Sequence, residues 1–161
     1  MRRGLHEEDI LRRENIKAPL AATDKKDAIK ELVELLALNK DVKNPDLVLA
    51  SVLERESIRT TGVGYGLAIP HSKCGGVNQL TIAIGKPDHP LDFQSLDGQN
   101  VYLIVLLVSP PEQTGAHIQC LASISRLMTI EAFRSKLKAA KTPDEIYDAI
   151  VAQEKSVVPE K

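Results

Sequence analysis

His71 closes the run Leu67-Ala68-Ile69-Pro70-His71, and a second imidazole, His117, lies further along the chain. Phosphoryl transfer asks for a nucleophile that is uncharged at neutral pH, positive or hydrogen-bonding groups for the incoming oxygens, and room for donor and acceptor to align. A neutral imidazole meets the first demand, because its ordinary pKa of about 6.5 leaves one ring nitrogen free. Loop N–H groups, an arginine and another imidazole meet the second. The segment Gly62-Val63-Gly64-Tyr65-Gly66, Arg55 and His117 could supply these parts around His71, with Gly62, Gly64 and Gly66 as the phosphate-loop support. Residue types and spacing do not by themselves bring them together.

The same histidines admit a rival chemistry. His71-Ser72-Lys73-Cys74 and His117-Ile118-Gln119-Cys120 share the spacing His-x-x-Cys. Two imidazoles and two thiolates would close a tetrahedral zinc site in an interaction module without phosphoryl chemistry. Zinc would occupy the nitrogen that transfer needs, and buried cysteines commonly act as small hydrophobes. The metal-bound module is therefore the alternative and transfer the first reading. A dinucleotide site is set aside, because the spacing Gly62-x-Gly64-x-Gly66 departs from that fingerprint and follows a helix instead of a buried strand.

Periodicity and punctuation predict the elements that must hold these residues. Residues up to about 22 are charged and weakly patterned, with a short strand or arm around Asp9 to Leu11. Thr23 and Asp24 offer a cap and a first-turn acid for a helix over 24–38, with Ile29, Leu32, Val33 and Leu36 inward. Asn44-Pro45-Asp46 starts a second helix toward Glu56, with Leu47, Ala50, Val52 and Leu53 on its apolar side and Arg55 near its end. Leu67 to Ile69 reads as a short strand whose pairing ends at Pro70, so His71 would stand at a strand end facing a loop. Leu80 to Ile84 and Val101 to Val108 read as buried strands, the second central. A helix over 114–128, capped by Thr114, carries Ile118, Leu121, Ala122, Ser125 and Met128, with His117 in its first turn. Phe133 and Leu137 suit a short helix, Thr142-Pro143-Asp144-Glu145 opens the last one with a capping box, and Lys155 to Lys161 are expected to fray.

Composition sets the class. The chain has 161 residues, 43% hydrophobic but only 3% aromatic, so its core is built from aliphatic side chains, as suits helices packed on a sheet. A single α/β domain over 1–161 is expected. A net charge of -1 gives no global positive field, which argues against nucleic acid as a partner. Two cysteines in a chain of this size fit a reducing compartment, so the cytoplasm is expected. Arg2 and Arg3 are followed by Glu7, Glu8 and Asp9 with no apolar segment, and Val101 to Val108 is too short to span a bilayer. No direct membrane insertion is expected.

The run Leu53-Glu54-Arg55-Glu56, followed by Thr61-Gly62-Val63-Gly64-Tyr65-Gly66-Leu67-Ala68-Ile69-Pro70-His71, resembles the phosphorylation-site signature of the fructose/mannitol-type (type-2) IIA domains of the bacterial phosphotransferase system. The likeness continues through Leu91-Asp92-Phe93-Gln94-Ser95-Leu96-Asp97-Gly98-Gln99, the apolar strand, and Gln113-Thr114 before His117, covering about 23–150. These later segments are similar to the nitrogen-regulatory IIA proteins in particular. The resemblance implies a mixed β-sheet flanked by helices, a phosphotransferase component, and phosphate accepted on His71 from a histidine phosphocarrier protein. It also implies that His117 and Arg55 line the same catalytic pocket, with no metal or cofactor required. Downstream would stand a regulatory target, or a IIB protein if the chain serves sugar uptake. A further variant keeps the fold but acts only as a binding regulator when unphosphorylated. The chain departs from the family pattern at Ser72, where glycine is usual, and at Gln119, where a second histidine is frequent. His6 and His89 fall outside the match and are expected to be exposed.

Overall fold

The apolar run that ends at Ser109 becomes the spine of the molecule. In the computed structural model, which describes residues 10–157, strand β6 (Leu103–Ser109) is buried along its whole length. Strand β5 (Thr81–Pro87) pairs antiparallel along one side, and β1 (Ile16–Leu20) adds parallel to β5. On the other side β3 (Leu67–Ala68) and β4 (His71–Lys73) both run parallel to β6, and β2 (Gly62–Gly64) closes a hairpin onto β3. The result is a mixed sheet of six strands.

Helices cover both faces, because side chains along β6 alternate. Ile104, Leu106 and Val108 pack with helices α1 (Lys25–Leu38) and α2 (Pro45–Ile58). Leu103, Val105 and Leu107 pack with α3 (Thr114–Leu127), α4 (Glu131–Ala139) and α5 (Pro143–Val157). Each such aliphatic side chain stabilises the fold by about 1.5–3 kcal/mol when fully buried, so a charge anywhere along this strand would disrupt the layer it faces. This is the single α/β domain, mixed sheet flanked by helices, that the sequence predicts.

Asn44 accepts from the Leu47 N–H with Pro45 at the first helical position, and Thr142 and Glu145 bond reciprocally as a capping box. For α1 the cap is Asp24, which accepts from the Asp27 N–H, and not Thr23. Thr114 does not cap α3; its hydroxyl donates back to the Pro111 carbonyl. Two apolar faces are rotated from expectation. Helix α2 buries Val48, Val52 and Glu56 while Leu47 is exposed, and α3 buries His117, Cys120, Ile124 and Leu127 while Ile118 is exposed. In each stripe a polar residue, Glu56 or His117, takes a core position and conceals the helical period. Pairing also resumes after Pro70 as β4, in unchanged register: Ala68 faces Ile104 and His71 faces Leu107. Strand β1, which has one partner and so tolerates Pro19, was not expected, whereas Ile10 and Leu11 form a bend and no strand. Lys155 is helical, because α5 continues to Val157. Asp9, His6 and residues 158–161 lie outside the described residues.

Candidate functional site

Strand pairing is what makes the two imidazoles meet. His71 is the first residue of β4 and faces Leu107, near the end of β6. Lys73 faces Ser109, after which the chain turns through Pro110 into α3 and presents His117 in that helix's first turn. The ring centroids of His71 and His117 are 5.4 Å apart, with planes inclined at 63°. Arg55, in the last turn of α2, reaches the same place from the other helical layer.

Together α2, β4 and α3 enclose an open pocket of about 420 Å³, lined by Ser51, Glu54, Arg55, Ile58, His71, Ser72, Lys73, His117 and Leu121. His71 is half-buried, and its Nδ1 lies 2.7 Å from the Ile69 carbonyl. A carbonyl can only accept, so Nδ1 carries the proton and the neutral ring keeps its lone pair on Nε2. Burial pushes the His71 pKa down and the nearby Arg55 charge adds to this, while the Ile69 carbonyl and Glu56 oppose it. His117 is only 4% exposed, and its Nδ1 lies 2.6 Å from the Ser109 hydroxyl. Burial, with the neighbouring His71 and Lys73, pushes its pKa down to about 4. Both rings are therefore neutral at physiological pH. The Arg55 guanidinium donates to the Arg59 carbonyl at 2.9 Å, so it caps its own helix end while lining the pocket.

The glycines are placed otherwise. None of Gly62, Gly64 and Gly66 is among the pocket-lining residues; they build the β2–β3 hairpin. Gly66 has φ +77°, and a Cβ there would lie 2.4 Å from the Tyr102 ring. At Gly62 a Cβ would meet Ser95. Close packing and turn geometry thus account for them without phosphate.

The zinc alternative is corrected by topology. Cys74 packs in the α1–α2 layer and Cys120 in the α3–α5 layer, on opposite faces of the sheet. Burial, aided by Glu154, pushes the Cys120 thiol up to about 12. Among the described residues no group of three or more His, Cys, Asp or Glu side chains is disposed to hold a metal.

Ser72 is buried, and its hydroxyl bonds that of Ser51, tying β4 to α2. Gln119 and His89 are exposed, and neither lines the pocket. Sequence reasoning missed Ser51, Lys73 and Ser109. For Ser109 a signal existed: it is the one hydroxyl that ends an otherwise aliphatic run, where burial demands a partner.

A three-layer α/β domain that brings a neutral imidazole on β4 and another on α3 into one open pocket with an arginine is a setting suited to carrying a phosphoryl group. The family model described as "Phosphoenolpyruvate-dependent sugar phosphotransferase system, EIIA 2" matches residues 9–153, and the chain belongs to that family. It is a IIA-type phosphoryl carrier. It is 35% identical to a nitrogen regulatory protein of Bradyrhizobium diazoefficiens, over 88% of this chain and 92% of that protein. It is 31% identical to the fructose-specific EIIABC component of Bacillus subtilis, over 91% of this chain but only 23% of that protein. Among solved structures, nitrogen regulatory protein IIA-Ntr from Neisseria meningitidis superimposes with a TM-score of 0.82 at 28% identity, covering 88% of this chain and 97% of that one. No helix among the described residues is long and apolar enough to cross a membrane.

Proposed function

We propose that His71 accepts the phosphoryl group on Nε2 from the phosphohistidine of a histidine phosphocarrier protein. The observation that carries this reading is the bond from Nδ1–H to the Ile69 carbonyl, which fixes the nucleophilic lone pair on the other nitrogen. In the transfer, the Nε2 lone pair forms a bond to phosphorus as the donor's N–P bond breaks, its electron pair returning to the donor imidazole. Positive charge grows on the His71 ring, and the Ile69 carbonyl stabilises it through the Nδ1 proton. Arg55 and His117 steady the equatorial oxygens, and Lys73 adds positive field at the pocket mouth.

The role is regulatory and the setting cytoplasmic in this reading. What supports it is that the nitrogen regulatory relative matches over nearly its whole length. The fructose-specific relative supports a second reading, in which the phosphoryl group passes onward to a IIB protein. Incubation with phosphoenolpyruvate, the general phosphotransferase enzyme and its phosphocarrier tests the acceptor: acid-labile phosphate should appear on wild type and vanish in His71→Ala. Label that persists in a folded His71→Ala protein refutes it, and onward transfer to a IIB protein would favour the second reading.

A further inference from the structure

We infer that Ser109 is a positioning residue that holds His117 in its Nε2–H tautomer, so that this ring meets the phosphoryl group as a neutral hydrogen-bond donor. The inference rests on the reading of the pocket as a phosphoryl site, but its first test does not.

Ser109 ends β6 and has no exposed surface. A hydroxyl so placed is destabilising unless it is bonded. Among the described residues its Oγ has one partner, Nδ1 of His117, at 2.6 Å. Two arrangements fit that distance. If Nδ1–H donated to Oγ, the buried hydroxyl proton would have no acceptor. If Oγ–H donates to Nδ1, that proton is used and only a lone pair is left over, which is the cheaper remainder. The second arrangement puts the ring proton of His117 on Nε2, on the ring edge left to the pocket.

The two imidazoles then have opposite roles, each set by one buried or half-buried oxygen. The Ile69 carbonyl makes His71 present a bare Nε2, suited to attack phosphorus. The Ser109 hydroxyl makes His117 present an Nε2–H, suited to donate to a phosphoryl oxygen. The wrong His117 tautomer would set a second lone pair against that oxygen. Ser109 itself touches no reacting atom, and its effect passes through the ring.

The test uses the full chain, labelled with ¹⁵N, and long-range ¹H–¹⁵N correlation of the histidine rings at neutral pH. Wild type should show His117 with an unprotonated Nδ1 and a protonated Nε2. Ser109→Ala, folded by its amide spectrum, should show a mixture of tautomers, and its phosphorylation by the phosphocarrier should slow about 10-fold. Ser109→Thr, which keeps the hydroxyl, should restore both. A proton on Nδ1 of His117 in wild type overturns the inference. So does a Ser109→Ala protein whose His117 tautomer is unchanged, even if its rate falls. Should His71 never accept phosphate, the proposed function fails while the tautomer result still decides the role of Ser109.

Discussion

Replacing His117 with glutamine should remove most of an acid-sensitive component of stability. The folded-state pKa of His117 is about 4 against 6.5 for a free imidazole. A base whose pKa falls on folding binds its proton more readily in the unfolded chain, so stability is full above pH 6.5 and declines as pH falls toward 4. At about 1.4 kcal/mol per pH unit, this group alone should remove about 2 kcal/mol between pH 7.5 and pH 5. His71, whose pKa is also lowered, adds a loss of the same sign in both proteins. Urea denaturation of wild type and His117→Gln at the two pH values measures the difference. The variant should lose about 2 kcal/mol less than wild type over that interval. Equal losses would refute the argument that burial keeps this ring neutral, and with it the assignment of His117 as an uncharged donor.

Glu56, nearly sealed from solvent, accepts from the buried Thr61 N–H and hydroxyl and from the part-buried Lys25. Glu56→Ala should therefore cost about 3 kcal/mol in urea denaturation, because it strands the buried Thr61 N–H and hydroxyl, while Lys25 keeps Gln94 as an acceptor; a loss under about 1 kcal/mol contradicts this. Because the Glu56 charge raises the His71 pKa, Glu56→Gln should lower it further in an NMR titration, and a rise contradicts that sign. Gly66→Ala combines a positive φ with a Cβ placed 2.4 Å from the Tyr102 ring, whereas Gly98 has φ +75° with open space around it. The first substitution should cost about 2–4 kcal/mol and the second about 1 kcal/mol, so equal losses would show that the ring contact is relieved at no cost. Ser72→Gly breaks the hydroxyl pair with Ser51 and frees the backbone, and should cost about 1–2 kcal/mol by thermal denaturation.

The sequence made legible those features that depend on neighbours in the chain. The aliphatic run became β6, and the Asn44-Pro45 and Thr142-Pro143 starts became helix caps. It misled where a polar residue type hid a hydrogen-bond partner. Glu56 and His117 sit in core stripes because Thr61, Lys25 and Ser109 satisfy them, and the period of apolar residues carries no record of which polar side chains are bonded. Pro70 looked like the end of pairing, yet β6 holds the same register on both sides of it. The meeting of His71, His117 and Arg55 could be drawn only from family resemblance, since it arises from β4 lying beside the end of β6 just before α3 begins. Spacing alone misled in two cases. The glycines answer to Tyr102 and Ser95, and the His-x-x-Cys pairs are split by the sheet.

Phosphoryl transfer in this protein turns on one atom, Nε2 of His71. Phosphorylating the ¹⁵N-labelled protein through the phosphocarrier and recording ³¹P and long-range ¹H–¹⁵N spectra identifies the modified nitrogen directly. Phosphorus bonded to Nε2 of His71, with the proton still on Nδ1, is the predicted result. Phosphorus on Nδ1, or on His117, would contradict it.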